Sequence, residues 1–522
     1  MSVSNHLPHP EPLQSFRLLP WRTPASDRVL IWIAIAVTAA LHLATAGRYD
    51  MMRNELYFLA CGRHPAFGYA DQPPLVPLIA AATQLFGPSV WLLRLPAVMA
   101  AVALIPLCAA FARLIGGNRS AAVIAAIAAA SAPGLAGTTT LLTTATFEPI
   151  AWTGCAYLIA RAVLREDRRA LLWAGLVAGL SMQAKYGIVM WLVPLALGVL
   201  LTPARRLLGW RETWTAMLIA VAIAAPSLIW QAVNDWPFLA IIAHHTQGVI
   251  TGGPVRFEIG QILALNLVLA PLWVTGIVAP FASERLKPLR FLSIAFVGAT
   301  AINLATGGKD YYLFAAYPSM FVVGAVACAR LWRWAAGLWM AAAIANFALV
   351  APIVFPLLDP PALLRLLEHS HLRPAPDEKA AIGAPLTQVF SDELGWRALA
   401  HQVAAVYRSL PPAERGHAAI FANNYGEAAA IDVHGRGLGL PPAISGDNQY
   451  FLWGPRGYDG SVIIVINGDP ERWRRLCRSA RIAGVFGVPL AMPYERDRPI
   501  MVCHGLRGGF TNAWDGFKRY GA

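Results

Sequence analysis

Acidic side chains that could act as a general base are concentrated in one polar segment of the sequence, residues 47–89. The acids in it are Asp50, Glu55 and Asp71. Asp71 lies two residues before Pro73-Pro74, and this pair predicts a turn back toward the membrane that fixes the carboxylate at the interface. A fixed carboxylate can take a proton from a hydroxyl group and so raise its nucleophilicity. The segment therefore predicts proton-transfer chemistry.

The same segment contains cations and aromatic side chains that could bind an anion or hydroxyl groups. Arg53 could contact a phosphate, and Tyr57, Arg63, Tyr69 and Gln72 could contact a sugar or an acceptor. Tyrosine and arginine also anchor membrane proteins at the level of the lipid headgroups. For the aromatic side chains, both interpretations stay open.

A further acid, Glu148, precedes Pro149 at the outer end of a predicted membrane span. A carboxylate near a span is costly and is therefore a candidate for a functional site. The alternative is a helix start, where a negative charge favours the helix dipole. We favour the functional interpretation.

Cations that could stabilise a phosphate occur in two other segments. Lys185 interrupts an apolar run, and Lys309 follows Gly307-Gly308, a pair that would let backbone amides approach an anion. Snorkelling of Lys185 and a local pair between Lys309 and Asp310 are the structural alternatives. Two outer lysines in a chain so poor in lysine favour a phosphate site.

Membrane helices must position these residues. The chain has 522 residues, of which 57% are hydrophobic and 14% charged, against roughly 25% charged in an average soluble domain. The net charge of +13 reflects membrane orientation rather than nucleic-acid binding, because cytoplasmic loops of membrane proteins collect Lys and Arg. The six cysteines show no CxxC spacing, so no zinc site is predicted.

About eleven transmembrane helices are predicted from the apolar stretches. They are placed at 29–46, 90–115, 119–137, 146–164, 170–184, 187–202, 213–231, 258–281, 290–306, 310–331 and 334–357. For 170–202, a single long or broken helix would fit nearly as well. The cations of the loops place the N-terminal segment 1–28 in the cytoplasm and the C-terminus outside. The alternative for the first span is a signal peptide.

The polarity becomes ordinary after residue 357, and residues 358–522 predict a soluble α/β domain on the outer side. Buried strands are expected at 418–421, 461–466 and 500–503, and a helix at 470–483. No GxGxxG or P-loop spacing occurs there. Cys477 and Cys503 could pair, and two unpaired buried thiols are an equal alternative.

Several of these motifs together resemble a known family. The segments 53–62 (RNELYFLACG), 69–75 (YADQPPL), Lys185-Tyr186, 308–313 (GKDYYL) and Tyr317-Pro318 look like bacterial family 39 glycosyltransferases. These enzymes belong to the GT-C superfamily and are related to protein O-mannosyltransferases and to the lipid A aminoarabinose transferase. The resemblance covers roughly residues 28–357, so 29–357 would form the catalytic transmembrane domain.

The resemblance implies an inner-membrane enzyme that transfers a sugar, with inversion, from a polyprenyl-phosphate donor to an acceptor on the outer face. The acceptor would be lipid A or another glycan, a lipid or a protein. The family usually has an Asp-Glu pair in the first loop, whereas this chain has Asn54-Glu55. Because Asn cannot act as a base, either Glu55 or Asp71 takes that role, with Glu55 preferred, or the activity is altered or lost.

The remaining roles follow from the same resemblance. Glu148 would orient the acceptor or hold a cation. Lys185 and Lys309 would contact the lipid phosphate, supported by Arg53, Tyr311 and Tyr312. No cofactor is certain, although a divalent cation between Glu55 and Glu148 is one option; His64, His244 and His245 show no metal-binding spacing.

Two other function classes compete with the transferase. A transporter or flippase for a lipid-linked or anionic substrate predicts internal repeats and charges near the bilayer midplane. Such repeats are not evident, and the charges cluster at one interface. A non-catalytic binding protein is the second alternative, and Asn54 is its strongest support.

Overall fold

The computed structural model describes residues 25–248, 253–328, 333–370, 376 and 378–520. Most of the predicted cytoplasmic segment 1–28 lies outside the described residues, and so do 329–331 at the end of the predicted span 310–331. The described chain consists of a large helical part and a smaller C-terminal part that contains a five-stranded sheet. The predicted fold class, a helical membrane protein with a C-terminal α/β domain, is confirmed.

The predicted apolar stretches form helices. In chain order the helices of this part are α1 (Ala25–Thr45), α2 (Arg53–Gly62), α3 (Leu75–Thr83), α4 (Val90–Leu114), α5 (Arg119–Ala130), α6 (Pro133–Gly137), α7 (Glu148–Arg165), α8 (Arg168–Ala184), α9 (Val189–Leu200), α10 (Arg211–Val233), α11 (Pro237–Gly248), α12 (Gly253–Ala264), α13 (Ala270–Ala282), α14 (Arg290–Ala305), α15 (Tyr317–Ala327) and α16 (Arg333–Val354). Short 3-10 turns at Tyr186–Ile188 and Asp310–Ala316 precede α9 and α15.

By length and composition, five of the described helices can cross a membrane, or seven if each of two bent pairs forms one span. Other predicted spans correspond to shorter helices or to broken ones, such as α12 and α13, which meet at a bend of 102°. The number eleven therefore stays a prediction. The stretch 170–202 is two helices, because α8 ends at Ala184 and Lys185 is extended.

Local sequence explains several helix starts and the close packing between helices. The side chain of Ser89 accepts a hydrogen bond from the amide of Leu92 and caps α4. Gly276 of α13 and Gly324 of α15 allow their backbones to touch: a Cβ on Gly276 would lie 2.1 Å from the carbonyl oxygen of Met320. Small residues at such contacts replace the hydrophobic driving force that lipid does not provide.

The C-terminal part is built around one mixed sheet. Its strands are β1 (Ala418–Ala422), β2 (Ala443–Ser445), β3 (Val462–Ile466), β4 (Cys477–Phe486) and β5 (Arg498–Leu506), in the order β2-β1-β3-β5-β4. The first three are parallel, with Ile420 opposite Ala443 and Ile464, and β5 is antiparallel to β3 and β4. Around the sheet lie α17 (Pro360–Ser370), α18 (Gln388–Ser391), α19 (Trp396–Ser409), α20 (Pro412–Arg415), α21 (Tyr425–Ala430), α22 (Asn448–Trp453), α23 (Pro470–Leu476) and α24 (Gly509–Ala513).

The three predicted strands correspond to β1, β3 and β5, whereas the helix predicted at 470–483 is wrong beyond Leu476. The chain enters β4 at Cys477, and pairing with β5 outweighs the helical pattern there. Cys477 and Cys503 form a disulfide between these two strands, with their Cα atoms 5.9 Å apart. This resolves the alternative that the sequence leaves open.

Candidate active site

The first polar segment folds into α2 and α3 and packs against the C-terminal part. Buried side chains of α2, such as Tyr57 and Phe58, share one hydrophobic core with α19, α21 and the sheet. The amide of Ala70 also donates to the side chain of Gln449, 2.9 Å away. The predicted site residues of this segment therefore lie at a contact between two regions that are far apart in sequence.

Glu55 lies in a buried ion network. Its carboxylate receives two hydrogen bonds from Arg94, at 3.0 and 2.8 Å, and one each from the amides of Met52 and Leu142. Arg94 also donates to Glu393, at 3.0 Å, and to two backbone carbonyls. All three side chains are at most 1% exposed. Because four donors already occupy the Glu55 carboxylate, the geometry favours a structural role over that of a base.

Asp71 has a different environment, which we call the Asp71 cluster: Asp71, Tyr57, Asn448, Tyr425 and Asn54. The Tyr57 hydroxyl donates to Asp71 Oδ1 at 2.9 Å, and the Asn448 amide lies 3.4 Å from Oδ2. The ring of Tyr425 packs 4.7 Å from that of Tyr57, and its hydroxyl donates to Asn54 at 2.9 Å. Unlike Glu55, Asp71 has no cation paired with it among the described residues.

Burial raises the pKa of Asp71 to about 7, and the hydrogen bond from Tyr57 opposes this shift. The nearby Asp447 raises the pKa further, because two carboxylates in one region disfavour each other's charge. A carboxylate whose pKa lies near neutral pH can both accept and hold a proton. Asp71 is therefore the acid of the first segment best suited to proton transfer.

Arg53 connects the first segment to the C-terminal part. One terminal nitrogen donates to the Tyr494 hydroxyl at 2.7 Å, and the other lies 3.9 Å from Asp392. Its guanidinium also lies over the rings of Tyr425, at 5.2 Å, and Tyr494, at 5.4 Å. Gly426 permits this approach, since a Cβ there would lie 2.4 Å from Cγ of Arg53.

The other predicted contacts of this segment are mainly to the backbone. The Arg63 side chain donates to the carbonyl of Asp432 at 2.7 Å. The Tyr69 hydroxyl donates to the carbonyl of Cys61 at 2.9 Å and is fully buried. Gln72 closes a turn with Tyr69 through backbone hydrogen bonds, and its side-chain oxygen is buried with no hydrogen-bond partner among the residues that the structure describes. Tyr69 and Gln72 thus shape the turn that places Asp71.

Except for Arg53, which binds Tyr494, the predicted phosphate-binding residues converge on a second group. We call it the lysine cluster: Glu148, Lys185, Lys309, Tyr311 and Tyr312. Lys185 Nζ donates to Glu148 at 2.7 Å and lies 4.7 Å from the centre of the Tyr312 ring and 5.2 Å from that of Tyr311. Lys309 Nζ lies 5.9 Å from the Tyr311 ring. Both ammonium groups therefore lie near the Tyr311 ring, and Lys185 lies near the Tyr312 ring as well, an arrangement that stabilises positive charge.

Lys309 also forms an ion pair with Glu378 of the C-terminal part. The backbone amide that was expected to approach an anion is occupied, because Gly308 N–H donates to the carbonyl of Asn303.

Burial raises the pKa of Asp392, the Arg53 cation lowers it, and the Glu378 carboxylate raises it. Glu378 thus pairs with Lys309 of the lysine cluster and also acts electrostatically on Asp392, which lies beside Arg53 of the first segment.

The residues proposed for a divalent cation do not fit that role. Glu55 binds Arg94 and two amides, while Glu148 binds Lys185, so each carboxylate has its own partner. Within the described residues, no group of three or more His, Cys, Asp or Glu side chains could hold a metal ion.

The C-terminal part supplies site residues that the sequence did not reveal. The missed residues are Glu378, Asp392, Glu393, Tyr425, Asn448 and Tyr494. They carry no local motif and lie more than 200 positions from the first segment. Arg94 was also missed, although an arginine inside an apolar helix is itself a signal of a buried partner.

Comparisons with known proteins agree with this architecture. Residues 71–230 match the family model of the dolichyl-phosphate-mannose-protein mannosyltransferases. No curated protein sequence matches the chain. Among solved structures, the apo state of ArnT from Cupriavidus metallidurans superimposes with a TM-score of 0.60 at 14% identity, covering 92% of this chain and 98% of that chain.

The chain has the GT-C fold. The structure of the same ArnT bound to undecaprenyl phosphate matches with a TM-score of 0.59, also at 14% identity and with the same coverage of both chains. These matches confirm the resemblance to protein O-mannosyltransferases and to ArnT that the sequence motifs predict. The likeness extends through the C-terminal part, since only 8% of this chain lies outside the alignment.

Proposed function

We propose that this protein is an inverting glycosyltransferase that takes a sugar from a polyprenyl-phosphate donor. The convergence of Lys185 and Lys309 on the ring of Tyr311 carries this proposal. Two fixed cations in a partly buried site can stabilise the charge that develops on a departing phosphate. The ArnT structure with bound undecaprenyl phosphate adds support, because it has the same fold.

In the proposed reaction, Asp71 accepts the proton of an acceptor hydroxyl as its oxygen attacks the anomeric carbon of the sugar. The bond between that carbon and the phosphate oxygen breaks, and polyprenyl phosphate leaves with the electron pair. The pKa of about 7 suits Asp71 to this role, since a base works best near the operating pH. Glu148 and Glu378 would release the lysines as the phosphate binds, because each now pairs with one of them.

We further propose that the enzyme lies in the bacterial inner membrane, with residues 29–357 as the catalytic transmembrane domain and 358–522 as an outer, periplasmic domain. The charge asymmetry of the loops supports this orientation. The acceptor is a membrane glycan, a lipid or a protein that reaches the outer face. Arg63 and the Asp71 cluster would face it, while Tyr69 and Gln72 hold the turn that places Asp71.

The test is transfer of label from radiolabelled undecaprenyl-phosphate sugars to membrane acceptors by the full chain in proteoliposomes. We expect Asp71→Asn to lower the rate by about 10²–10⁴-fold, the usual contribution of a general base. Asp50→Asn is the matched control, because Asp50 lies in the same segment and, among the described residues, its carboxylate binds the exposed Arg397 and the amide of Met51. Full activity of Asp71→Asn would exclude Asp71 as the base. Donor translocation without transfer would instead support a flippase.

A further inference from the structure

A cavity of about 520 Å³ opens in the C-terminal part, and none of its lining residues belongs to either cluster described above. It lies where the three parallel strands end: Asn423 follows β1, Gly446 follows β2 and Asn467 follows β3. In open α/β sheets, ligands bind in the crevice beyond the carboxyl ends of parallel strands. The position of the cavity is therefore that of a ligand site.

Three arginines line the cavity, namely Arg472, Arg498 and Arg519. Neutral oxygens hold them: Arg472 donates to the carbonyl of Gly516 at 3.2 Å, Arg498 to that of Tyr494 at 3.0 Å, and Arg519 to the Asn423 side chain at 3.1 Å. None of the three forms an ion pair with a carboxylate in the part of the chain that the structure describes. A guanidinium has five N–H donors, so each retains donors for an anion.

The other residues that line the cavity suit a ligand with a hydroxyl-bearing ring better than an inorganic anion alone. The aromatic residues Phe421, Trp473 and Phe517 line one side, and the rings of the last two stack at 5.6 Å. Asn423, Asn467 and Asp469 add groups that can bind hydroxyls. Aromatic faces beside a few placed polar groups are typical of sites for small ligands.

One residue that lines this cavity, Asn467, has a strained backbone conformation. Asn467 has φ +55°, in the left-handed region that residues other than glycine seldom adopt. Its side-chain amide donates to Glu427 at 2.7 Å and to the carbonyl of Tyr494 at 3.1 Å, and these bonds hold the conformation. Strain of this kind clusters at functional sites, where the surroundings fix it.

We propose that this cavity binds a phosphate-bearing saccharide. The arginines would hold the phosphate, and the aromatic edges and amides would hold the sugar ring. The ligand is either the headgroup of a phosphorylated glycolipid or a free sugar phosphate, because the recognising chemistry is the same for both. The net charge of the lining, three cations against the single carboxylate of Asp469, favours an anion over a neutral sugar.

Two residues that line the cavity also form hydrogen bonds with Tyr494, the residue that holds Arg53. The carbonyl of Tyr494 accepts hydrogen bonds from Arg498 and Asn467 of the cavity, while its hydroxyl accepts one from Arg53. A ligand that fixes this wall would steady Tyr494 and thereby the orientation of Arg53. The cavity would thus bind a phosphorylated group next to the proposed transferase site without taking part in the reaction.

The binding test uses the full chain in nanodiscs and isothermal titration calorimetry, with glucose 6-phosphate as the probe and glucose as the uncharged comparison. We expect glucose 6-phosphate to bind and glucose to bind at least about tenfold more weakly, since hydrogen bonds to charged groups are the stronger ones. The variant Arg472→Gln should weaken binding by a similar factor, and Arg472→Gln with Arg519→Gln should abolish it. Arg474→Gln is the matched control, because Arg474 lies on the same helix and pairs with Glu471 outside the cavity.

Nanodiscs with and without lipid A distinguish the two sources of the ligand. Weaker binding of glucose 6-phosphate in the presence of lipid A would assign the cavity to a lipid headgroup, and equal binding would assign it to a free sugar phosphate. Arg472 is exposed, so its variant should keep the melting temperature of the parent chain. Equal binding of glucose and glucose 6-phosphate, or unchanged binding by the double variant, would overturn the proposal. Because this readout needs no transfer activity, it stands apart from the proposed enzymatic function.

Discussion

Replacement of Glu55 by glutamine separates a structural role of this residue from a catalytic one. In the native chain, two nitrogens of Arg94 and two backbone amides donate to the Glu55 carboxylate. Glutamine has nearly the same size as glutamate but replaces one acceptor oxygen by an NH2 group. This group would lie opposite N–H donors that now bind the carboxylate. Removing one partner of a buried ion pair typically costs about 3–5 kcal/mol, because the other charge stays buried. Glu393 would retain one hydrogen bond to Arg94 and offset part of this cost.

We therefore expect Glu55→Gln to lower the melting temperature of the detergent-solubilised protein by several degrees. Intrinsic tryptophan fluorescence during heating measures this change. Arg397→Gln is the matched control: it breaks the ion pair of Asp50, but Arg397 is 62% exposed. An exposed pair contributes only about 0–1 kcal/mol, so this variant should melt close to the parent.

Transfer activity, measured below the melting temperature of the variant, completes the experiment. If Glu55 only supports the fold, the Glu55→Gln protein that stays folded should retain most of its activity. An unchanged melting temperature together with loss of transfer would refute the structural assignment. It would restore Glu55 as the base that the sequence favours.

Three further changes test the proposed chemistry. The transfer rate should rise with pH and level off above about 7, because the raised pKa of Asp71 keeps the carboxyl protonated, and unable to accept a proton, below that pH; a flat pH profile of initial rates would contradict this. The variant Asn54→Asp should move the same profile to higher pH, because the new carboxylate would accept the hydrogen bond of Tyr425 near Asp71 and raise the pKa of Asp71. An unmoved profile would contradict this coupling. Lys309→Ala should raise the KM for the polyprenyl-phosphate donor by about tenfold or more, whereas the exposed Lys287→Ala should leave the KM unchanged; equal effects of both would exclude a phosphate contact at Lys309.

Sequence patterns identified the lysine cluster because each of its members is unusual in its surroundings. Lys185 and Glu148 are charges beside apolar stretches, and Lys309 precedes a tyrosine pair. Charges that cost free energy near a membrane persist where they have partners, and the structure provides these partners within the cluster. The fold class could also be predicted from the sequence. Hydropathy and the change in polarity near residue 357 distinguish the part of the chain that faces lipid from the part that faces water.

Sequence patterns were least informative about long-range partners. Glu55 and Asp71 are both acids of the first segment, and only the fold shows that Arg94 occupies one of them while burial beside Tyr57 raises the pKa of the other. Tyr425 and Asn448 reach the same place from the C-terminal part without any motif. The helix expected at 470–483 fails for a similar reason, because β5 pairs with the chain beyond Leu476.

The central claim is that Lys185 and Lys309 bind the donor phosphate, and a cryo-electron microscopy map of the full chain in nanodiscs with undecaprenyl phosphate tests it most directly. We expect phosphate density in contact with both ammonium groups beside Tyr311 and Tyr312, with Glu148 and Glu378 displaced from them. A phosphate bound elsewhere, with both of these ion pairs intact, would contradict it.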